Sequence, residues 1–374
     1  MNRFLFTLII SVIFCFSSDA IETKATQVLL KDLSTGTILF EKNADDLMPT
    51  SSMSKVMTMY VVFDRLKNGD IFLNDKFKIS KKAWKKQGSK TFVKVGDEVL
   101  VEDLIKGTII QSGNDASIAL AEGIAGSEEA FAELLNEKSA ELGMKNSHFV
   151  NATGWPDENH YSTSRDLALL AEYMVTDFPE YYNYYSEKEF TYNNIRQMNR
   201  NPLLYHNIGA DGIKTGQTES AGFGIMGAAI QNDRRLILVM NGLNSMKDRS
   251  QESLKLMEWG FREFKNITIA EADEPKATVN IKYAKKAEVE IAPKEAVKLT
   301  VMKRYQNKVQ TTIVIDERLT APISTSDSVG KLIVTAPEMS PFEVALYPIE
   351  DVARMNIFMR LWINIKLFFV GFIG

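Results

Sequence analysis

Residues 49–60, PTSSMSKVMTMY, cluster four hydroxyl side chains and one lysine at the start of a segment with the spacing of an apolar helix. We expect Thr50 and Ser51 to cap that helix. Ser52 and Lys55 are three residues apart, which on a helix puts both side chains on one face. A serine becomes a good nucleophile only beside a base, and a lysine is a base only when burial or a nearby cation lowers its pKa. The stretch is therefore compatible with two interpretations: hydroxyls that only begin a helix, or Ser52 as a nucleophile with Lys55 as its base.

This spacing alone is a weak signal, because Ser328 and Lys331 repeat it in a β-rich region without other reactive groups. The first pair is accompanied by a second motif, QSGND, which supplies Ser112 and Asn114 just before a helical run. A hydroxyl and an amide in these positions can relay a proton and hold a substrate carbonyl.

A third motif, DGIKTGQT, supplies Lys214 and Thr215, a cation and a hydroxyl, followed by Gly216, which leaves backbone room for a substrate strand. A strand that carries this motif can lie beside an extended peptide. It can also present the backbone N–H of Gln217 to a developing oxyanion.

Composition excludes several other functions. The chain has 374 residues and a net charge of -4, so it lacks the excess of positive charge that binding to a nucleic-acid backbone requires. Its three histidines, His148, His160 and His206, are widely spaced and have no thiol partner, so we expect structural roles for them and neither a metal site nor a cofactor.

The first twenty residues have the layout of a secretory signal peptide: Arg3 precedes an apolar run, and small residues end at Ala20. We therefore predict cleavage after residues 1–20, with an uncleaved N-terminal anchor as the alternative. Cys15 is the only cysteine, so the mature chain has none, and disulfides and thiolate catalysis are excluded.

The order of elements predicts an α+β fold. A hairpin opens the mature chain at residues 26–40, helical patterns follow at 52–67 and 98–142, and two strands flank the turn QNDRR. A helix closes this unit near residue 265. Residues 277–348 contain recurrent short strands and few helical signals, which predicts a second, all-β domain.

The last segment, residues 350–374, is strongly apolar from Met355 onward, where Arg360 and Lys366 are the only charged residues. On a helical wheel Phe358, Leu361 and Trp362 share a face roughly opposite Arg360. This pattern predicts an amphipathic helix that lies in a membrane interface. The alternative is a helix docked on the body of the protein.

The ordered set S-x-x-K, S-x-N and K-T-G resembles the pattern of penicillin-binding proteins and serine β-lactamases. The chain most closely resembles the low-molecular-mass D-alanyl-D-alanine carboxypeptidases, from about residue 26 to the C-terminus, through QSGNDA, FVNATGWPD, YSTSRDLALL, DGIKTGQT and WGFREF. The resemblance implies a β-lactamase/transpeptidase-like catalytic domain at residues 21–266, followed by the small β domain and the terminal helix.

By that resemblance, Ser52 is acylated, Lys55 is the base, and Ser112 and Asn114 form the middle wall of the cleft. The oxyanion hole is formed by the backbone N–H groups of Ser52 and Gln217.

The resemblance also implies that Lys214 and Thr215 bind the terminal carboxylate of the substrate, and that Lys214 keeps Lys55 neutral by like-charge repulsion. Such enzymes also have arginines near the cleft, and Arg200 and Arg249 occupy the corresponding sequence contexts in this chain. Arg249 is expected to assist carboxylate binding, with ordinary surface ion pairs as the alternative for both.

Two positions depart from the family pattern. Gln217 stands where many carboxypeptidases have a histidine, and Pro202 stands in NRNPLLYHN where a glycine is common. These departures leave the rate and the substrate preference open.

The predicted function is therefore a serine D-Ala-D-Ala carboxypeptidase that acts on peptidoglycan stem peptides and is inhibited by β-lactams. It would lie on the periplasmic face of the cytoplasmic membrane. Two alternatives remain: a β-lactamase, for which no deacylating glutamate is assigned, and a weakly catalytic binding or cell-shape protein with the same fold.

Overall fold

The computed structural model describes residues 21–286 and 288–370. The predicted signal peptide, residues 1–20, lies outside the described residues. Up to Glu263 the elements in chain order are β1 (Gln27–Asp32), β2 (Ile38–Lys42), α1 (Lys55–Asn68), β3 (Lys76–Lys78), α2 (Lys81–Lys85), β4 (Glu98–Leu100), α3 (Val101–Ile109), α4 (Asn114–Ala125), α5 (Glu128–Glu141), α6 (Ser164–Asp177), α7 (Pro179–Tyr182), β5 (Glu189–Tyr192), β6 (Ile195–Met198), β7 (Ala210–Thr218), β8 (Gly222–Gln231), β9 (Arg234–Leu243) and α8 (Met246–Glu263). The remaining elements are β10 (Phe264–Ala270), β11 (Ala277–Asn280), β12 (Glu288–Ala292), β13 (Val297–Met302), β14 (Gln310–Ile315), β15 (Gly330–Thr335), β16 (Phe342–Pro348) and α9 (Ile357–Val370).

A five-stranded antiparallel sheet with the order β2-β1-β9-β8-β7 organises the first part of the chain. Both faces of this sheet are covered by apolar cores. Strand β9 illustrates this, because its successive side chains point to opposite faces. In β9, Ile237 and Val239 belong to the apolar core that includes α1, α4 and α6. Leu238 and Met240 belong to the other core, which includes α8. Strand β7 is left as an edge of the sheet.

Helix α1 is the central helix of the first core. Every residue from 55 to 63 is buried, as expected for a helix that is surrounded by protein on all sides. The helix ends at Gly69, whose φ of 77° is the left-handed conformation that glycine adopts readily. Lys55 is therefore held at the N-terminal end of a rigid, fully packed element.

The β-rich part of the chain has its own apolar core, which extends from Ala270 to Val352. Strands β11, β12, β16, β15 and β14 form one sheet, and β10 pairs with β13. Strand β10 lies before the predicted start of this region at residue 277, so the first strand of the region was not predicted. The domain division itself stays a prediction.

Helix α9 begins after Asn356, whose side-chain oxygen accepts a 2.9 Å hydrogen bond from the backbone N–H of Met359. The hydroxyl of Tyr283, in the β-rich part, donates a 2.6 Å hydrogen bond to Oδ1 of Asn364 in this helix. Six of the large apolar side chains described in this helix are more than a third exposed: Ile357, Phe358, Met359, Leu361, Trp362 and Ile365. Among the described helices, α9 included, none is long and apolar enough to cross a membrane.

Candidate active site

Ser52 lies in a short 3-10 turn, residues Ser51–Ser54, that leads directly into α1. Ser51 enters this turn with a φ of 44°, an unusual backbone angle for a serine. Neither Thr50 nor Ser51 makes a capping hydrogen bond, so the prediction that they cap the helix was wrong. The Thr50 hydroxyl instead contacts the hydroxyl of Ser54.

The Lys55 amine lies 3.0 Å from the Oγ of Ser52. It also donates hydrogen bonds to Oδ1 of Asn114 at 2.8 Å and to the backbone oxygen of Thr153 at 2.6 Å. Both of these oxygens are hydrogen-bond acceptors, so a neutral Lys55 amine donates its two N–H groups to them. Its lone pair then faces the Ser52 hydroxyl, which is the arrangement a general base requires.

Burial, together with the positive charges of Arg200 and Lys86, lowers the pKa of Lys55 to about 7. The pKa of Lys214 is also lowered well below its ordinary value, first by burial and then by Lys55, Arg200 and Arg249. Arg200 and Lys86 are thus cations that lower the pKa of Lys55 in this structure. The part predicted for Lys214 stays a prediction.

Asn114 is the first residue of α4, and its side chain connects two parts of the site. Its Oδ1 accepts from Lys55, and its Nδ2 donates to the backbone oxygen of Gln87 at 2.8 Å. Asn114 therefore holds the base, and its contact with a substrate carbonyl stays a prediction. Ser112 is only 2% exposed, and its Oγ has no hydrogen-bond partner among the described residues.

Lys214, Thr215 and Gly216 lie on β7, the edge strand that borders the turn at Ser51–Ser54. The Lys214 amine is 3% exposed and donates to the backbone oxygen of Thr215 at 3.0 Å. A Cβ at Gly216 would lie 3.0 Å from the backbone oxygen of Thr50, so glycine permits the close approach of strand and turn.

A cavity of about 450 Å³ opens in front of Ser52. It contains seven of the residues predicted from the sequence: Ser52, Ser112, Arg200, Thr215, Gly216, Gln217 and Arg249. The three other predicted residues, Lys55, Asn114 and Lys214, lie behind this wall. No carboxylate lines the cavity.

The two arginines are not surface ion pairs, since neither has a carboxylate within 4.0 Å among residues 21–286 and 288–370. Arg200 donates to the hydroxyl of Ser89 at 2.5 Å. Arg249 is 7% exposed, and its Nε has no partner in the described part of the chain. Burial lowers the pKa of Arg249 to about 10, with a contribution from Arg200, which still leaves it charged at neutral pH.

A buried network that supports the nucleophile turn was not predicted. The N–H of Val150 donates to Nδ1 of His160, so the ring proton is on Nε2, which donates to the Ser54 hydroxyl at 2.7 Å. Ser54 then donates to Thr50. Burial lowers the pKa of His160 to about 4, which keeps the ring neutral.

The structural role of a buried carboxylate, Asp115, was also not predicted. Asp115 is fully buried and accepts backbone hydrogen bonds from Thr91 at 2.8 Å and Phe92 at 2.9 Å. These bonds hold the segment that carries Ser89 against α4.

The pair Ser328 and Lys331, which repeats the spacing of Ser52 and Lys55, has a different environment, since Lys331 forms an ion pair with Glu343.

A serine beside a buried, weakly basic lysine, facing a cationic cavity at the edge of a sheet, defines a serine acyl-transfer enzyme for substrates that end in a carboxylate. Comparison with known proteins specifies the class further. The sequence profile described as D-alanyl-D-alanine carboxypeptidase, Peptidase S11, matches residues 15–244, and that of the penicillin-binding protein 5 C-terminal domain matches residues 264–354.

D-alanyl-D-alanine carboxypeptidase DacC of Escherichia coli is 38% identical over 364 residues, which cover 95% of this chain and 91% of that protein. The crystal structure of penicillin-binding protein 5 from Haemophilus influenzae matches with a TM-score of 0.81 and 35% identity, over 89% of this chain and 99% of that one. Penicillin-binding protein D2 from Listeria monocytogenes in its ampicillin-bound form matches with a TM-score of 0.60 and 27% identity, over 65% and 100% of the two chains.

The chain belongs to the D-alanyl-D-alanine carboxypeptidase family. This confirms the predicted α+β fold and the predicted enzyme class, a serine-type D-Ala-D-Ala carboxypeptidase of the penicillin-binding protein type.

Proposed function

We propose that Ser52 and Lys55 remove the terminal D-alanine from the D-Ala-D-Ala end of peptidoglycan stem peptides. The observation that carries this assignment is the environment of the Lys55 amine, which is buried, has a pKa of about 7 and lies 3.0 Å from Ser52. Half of the molecules therefore hold a neutral base at pH 7, beside the hydroxyl it must deprotonate.

The reaction proceeds in two steps. Lys55 takes the Ser52 proton while Oγ attacks the carbonyl carbon between the two D-alanines, and the tetrahedral intermediate collapses as the amine of the terminal D-alanine leaves with a proton. Water then attacks the Ser52 ester and gives up a proton to Lys55, the shortened peptide leaves as a carboxylic acid product, and Lys55 passes the proton from water to Oγ. Once protonated, the Lys55 ammonium donates to three acceptors that are already in place.

The leaving residue ends in a carboxylate, and the cavity suits this group. Arg249 has an unpartnered Nε, Arg200 is charged and close by, and the Thr215 hydroxyl completes a cationic and polar wall. The backbone N–H groups of Ser52 and Gln217 are the proposed oxyanion hole.

The β-lactamase alternative is disfavoured by the same cavity. Fast release of a β-lactam requires an activated water, commonly held by a carboxylate, and no carboxylate lines the described cavity. Asp115 is near, but its oxygens accept backbone N–H groups. β-Lactams are therefore expected to act as slowly released inhibitors.

D-Alanine release from a synthetic pentapeptide tests the proposal against the binding-protein alternative. We expect release by the wild type and none above background by Ser52→Ala, with Ser328→Ala unchanged as the matched control. Equal release by wild type and Ser52→Ala contradicts the assignment, and no release by either favours a non-catalytic protein.

Attachment to the periplasmic face of the cytoplasmic membrane is part of the proposal. It is supported by α9, whose exposed apolar side chains and polar contact at Asn364 suit a helix lying in the interface. We further propose that residues 277–348, with β10, act as a separate domain between the catalytic part and this helix.

A further inference from the structure

Residues 76–94, here called the lysine segment, carry a strong excess of positive charge. They contain eight lysines and no aspartate or glutamate. The chain has 44 basic and 48 acidic residues, so outside this segment 36 basic residues stand against 48 acidic ones. Like charges that lie close together repel one another and disfavour the compact state. Such a concentration of positive charge on an otherwise acidic chain indicates an anionic partner.

The lysine segment is held on the protein by its apolar side chains, which leaves most of its lysines in solvent. Three of the apolar side chains are buried in the core that includes α4: Ile79, Ala83 and Val93. Lys82 forms ion pairs with Glu128 and Glu129. Five lysines are exposed, and their amines make no ion pair or hydrogen bond with the described residues: Lys76, Lys78, Lys81, Lys85 and Lys94.

The lysine segment borders the active-site cavity. Ser89, which belongs to the segment, lines this cavity, and its hydroxyl accepts from Arg200 at 2.5 Å. The backbone oxygen of Ser89 accepts from the N–H of Asn114 at 2.8 Å. An anionic molecule on the lysine segment can therefore be joined to the peptide whose terminal carboxylate enters the cavity.

Two aromatic rings stand among the exposed lysines. Trp84 is 40% exposed and Phe92 is 45% exposed. Exposed aromatic rings are typical of interfaces, and the apolar faces of sugar rings stack on them. A partner that combines carboxylates with sugar rings therefore suits this surface better than a small free anion does.

A lipid surface is the competing anionic partner. Ala83 of α2 belongs to the core on one face of the central sheet, whereas Phe264 of β10 belongs to the core on the other face, together with α8. The β-rich part and α9 follow β10 in the chain, so they join the catalytic part on the face opposite to the lysine segment. This arrangement favours a wall polymer over the membrane at which α9 is proposed to lie.

We propose that the lysine segment binds the carboxylates of stem peptides that neighbour the reacting peptide on the same glycan strand. Each stem peptide ends in a carboxylate both before and after loss of its last D-alanine, so the reaction preserves these contacts. Attachment of the polymer at the lysines makes entry of a further peptide intramolecular, which raises the effective concentration of substrate ends at the cavity. The inference rests on the proposed function and adds a preference to it: polymer-bound pentapeptides react faster than free ones.

The test compares two substrates with the same pentapeptide, one free and one carried on uncrosslinked glycan strands. The value of kcat/KM for D-alanine release, per pentapeptide, is measured on the full chain with both, at about 0.05 M salt. We expect the wild type to prefer the polymer by roughly tenfold, as two or three exposed charge pairs together provide. The preference should fall as salt rises to about 0.5 M, because screening weakens such pairs.

The variant Lys81→Glu/Lys85→Glu reverses two charges on the same face of α2. Neither lysine is among the cations that lower the pKa of Lys55, so release from the free pentapeptide should stay within about twofold of wild type. The preference for the polymer should drop to roughly threefold or less. The matched control, Lys145→Glu/Lys298→Glu, reverses two exposed lysines elsewhere in the chain and should keep the wild-type preference.

A wild type that shows no preference for the polymer, or a preference that Lys81→Glu/Lys85→Glu leaves intact, overturns the inference and leaves the carboxypeptidase assignment standing. Co-sedimentation of the full chain with anionic vesicles that this variant abolishes would assign the lysine segment to a lipid surface and would also overturn the inference. Absence of release from both substrates overturns the proposed function as well.

Discussion

Raising the pH from 6 to 8 should increase the rate of Ser52 acylation about tenfold. The magnitude follows from the pKa of Lys55, which is about 7 in the folded protein. The neutral, reactive fraction of such an amine is about one-eleventh at pH 6, one-half at pH 7 and ten-elevenths at pH 8. An unperturbed lysine would be almost entirely protonated throughout this range.

A charge variant tests the cause of the lowered pKa. Arg200 lowers the pKa of Lys55 through its positive charge, so Arg200→Gln should move the rising part of the pH profile to higher pH. Arg196→Gln, which removes an exposed arginine paired with Glu189, is the matched control and should leave the profile in place.

The assay is stopped-flow acylation by a chromogenic cephalosporin at saturating concentration, so that the limiting rate is separated from binding. Ionic strength is held constant, and circular dichroism verifies the fold at each pH. A rate that does not change between pH 6 and pH 8, or that begins to rise only near pH 10, would refute Lys55 as a base tuned by burial.

Three further predictions concern Gly216, His160 and the terminal helix. In Gly216→Ala, the new Cβ would lie 2.3 Å from Oγ of Ser51 and 3.0 Å from the backbone oxygen of Thr50, so the Ser51 side chain must move within the nucleophile turn. Acylation should slow by roughly tenfold or more in a penicillin-binding assay, and an unchanged rate would contradict the close packing. The folded-state pKa of His160 is about 4 and its ordinary value is 6.5, so the unfolded chain binds the proton first as pH falls. The neutral ring stabilises the folded state fully above pH 6.5, and this contribution of about 3 kcal/mol to the free energy of unfolding is lost as the pH falls to 4. Urea unfolding at several pH values measures the loss, and His160→Gln should make the free energy of unfolding less dependent on pH in this range. Removal of residues 350–374 should abolish co-sedimentation with anionic vesicles while D-alanine release in solution persists; vesicle binding by the truncated chain would show that α9 is not the attachment.

Much of the fold follows from periodicity in the sequence. The opening hairpin, the helices between residues 98 and 142 and the pair β8 and β9 are present because their apolar patterns are long and regular. Strands β5 and β6 were missed, since each has only four residues, too few for a clear alternating pattern. Strand β10 was missed because it follows α8 without a turn signal.

The site was predictable where chemistry depends on side-chain type. Ser52 and Lys55 were identified by their spacing together with two distant motifs, and the structure separates this pair from Ser328 and Lys331, whose amine binds Glu343. The rest depends on tertiary structure.

Three features could not be read from the sequence. The third acceptor of the Lys55 amine is the backbone oxygen of Thr153, a group that every residue possesses. Ser51 does not cap the helix: its φ is 44°, and its hydroxyl lies against Gly216 of β7. The charge state of Lys214 depends on burial and on cations from distant segments.

The most direct test of the central claim is to map the acylated residue. Folded protein is treated with penicillin, digested and analysed by tandem mass spectrometry. The account predicts one adduct per chain, on Ser52, and none on Ser112 or Ser328. Stoichiometric acylation of another residue, or of Ser52→Ala, would contradict it.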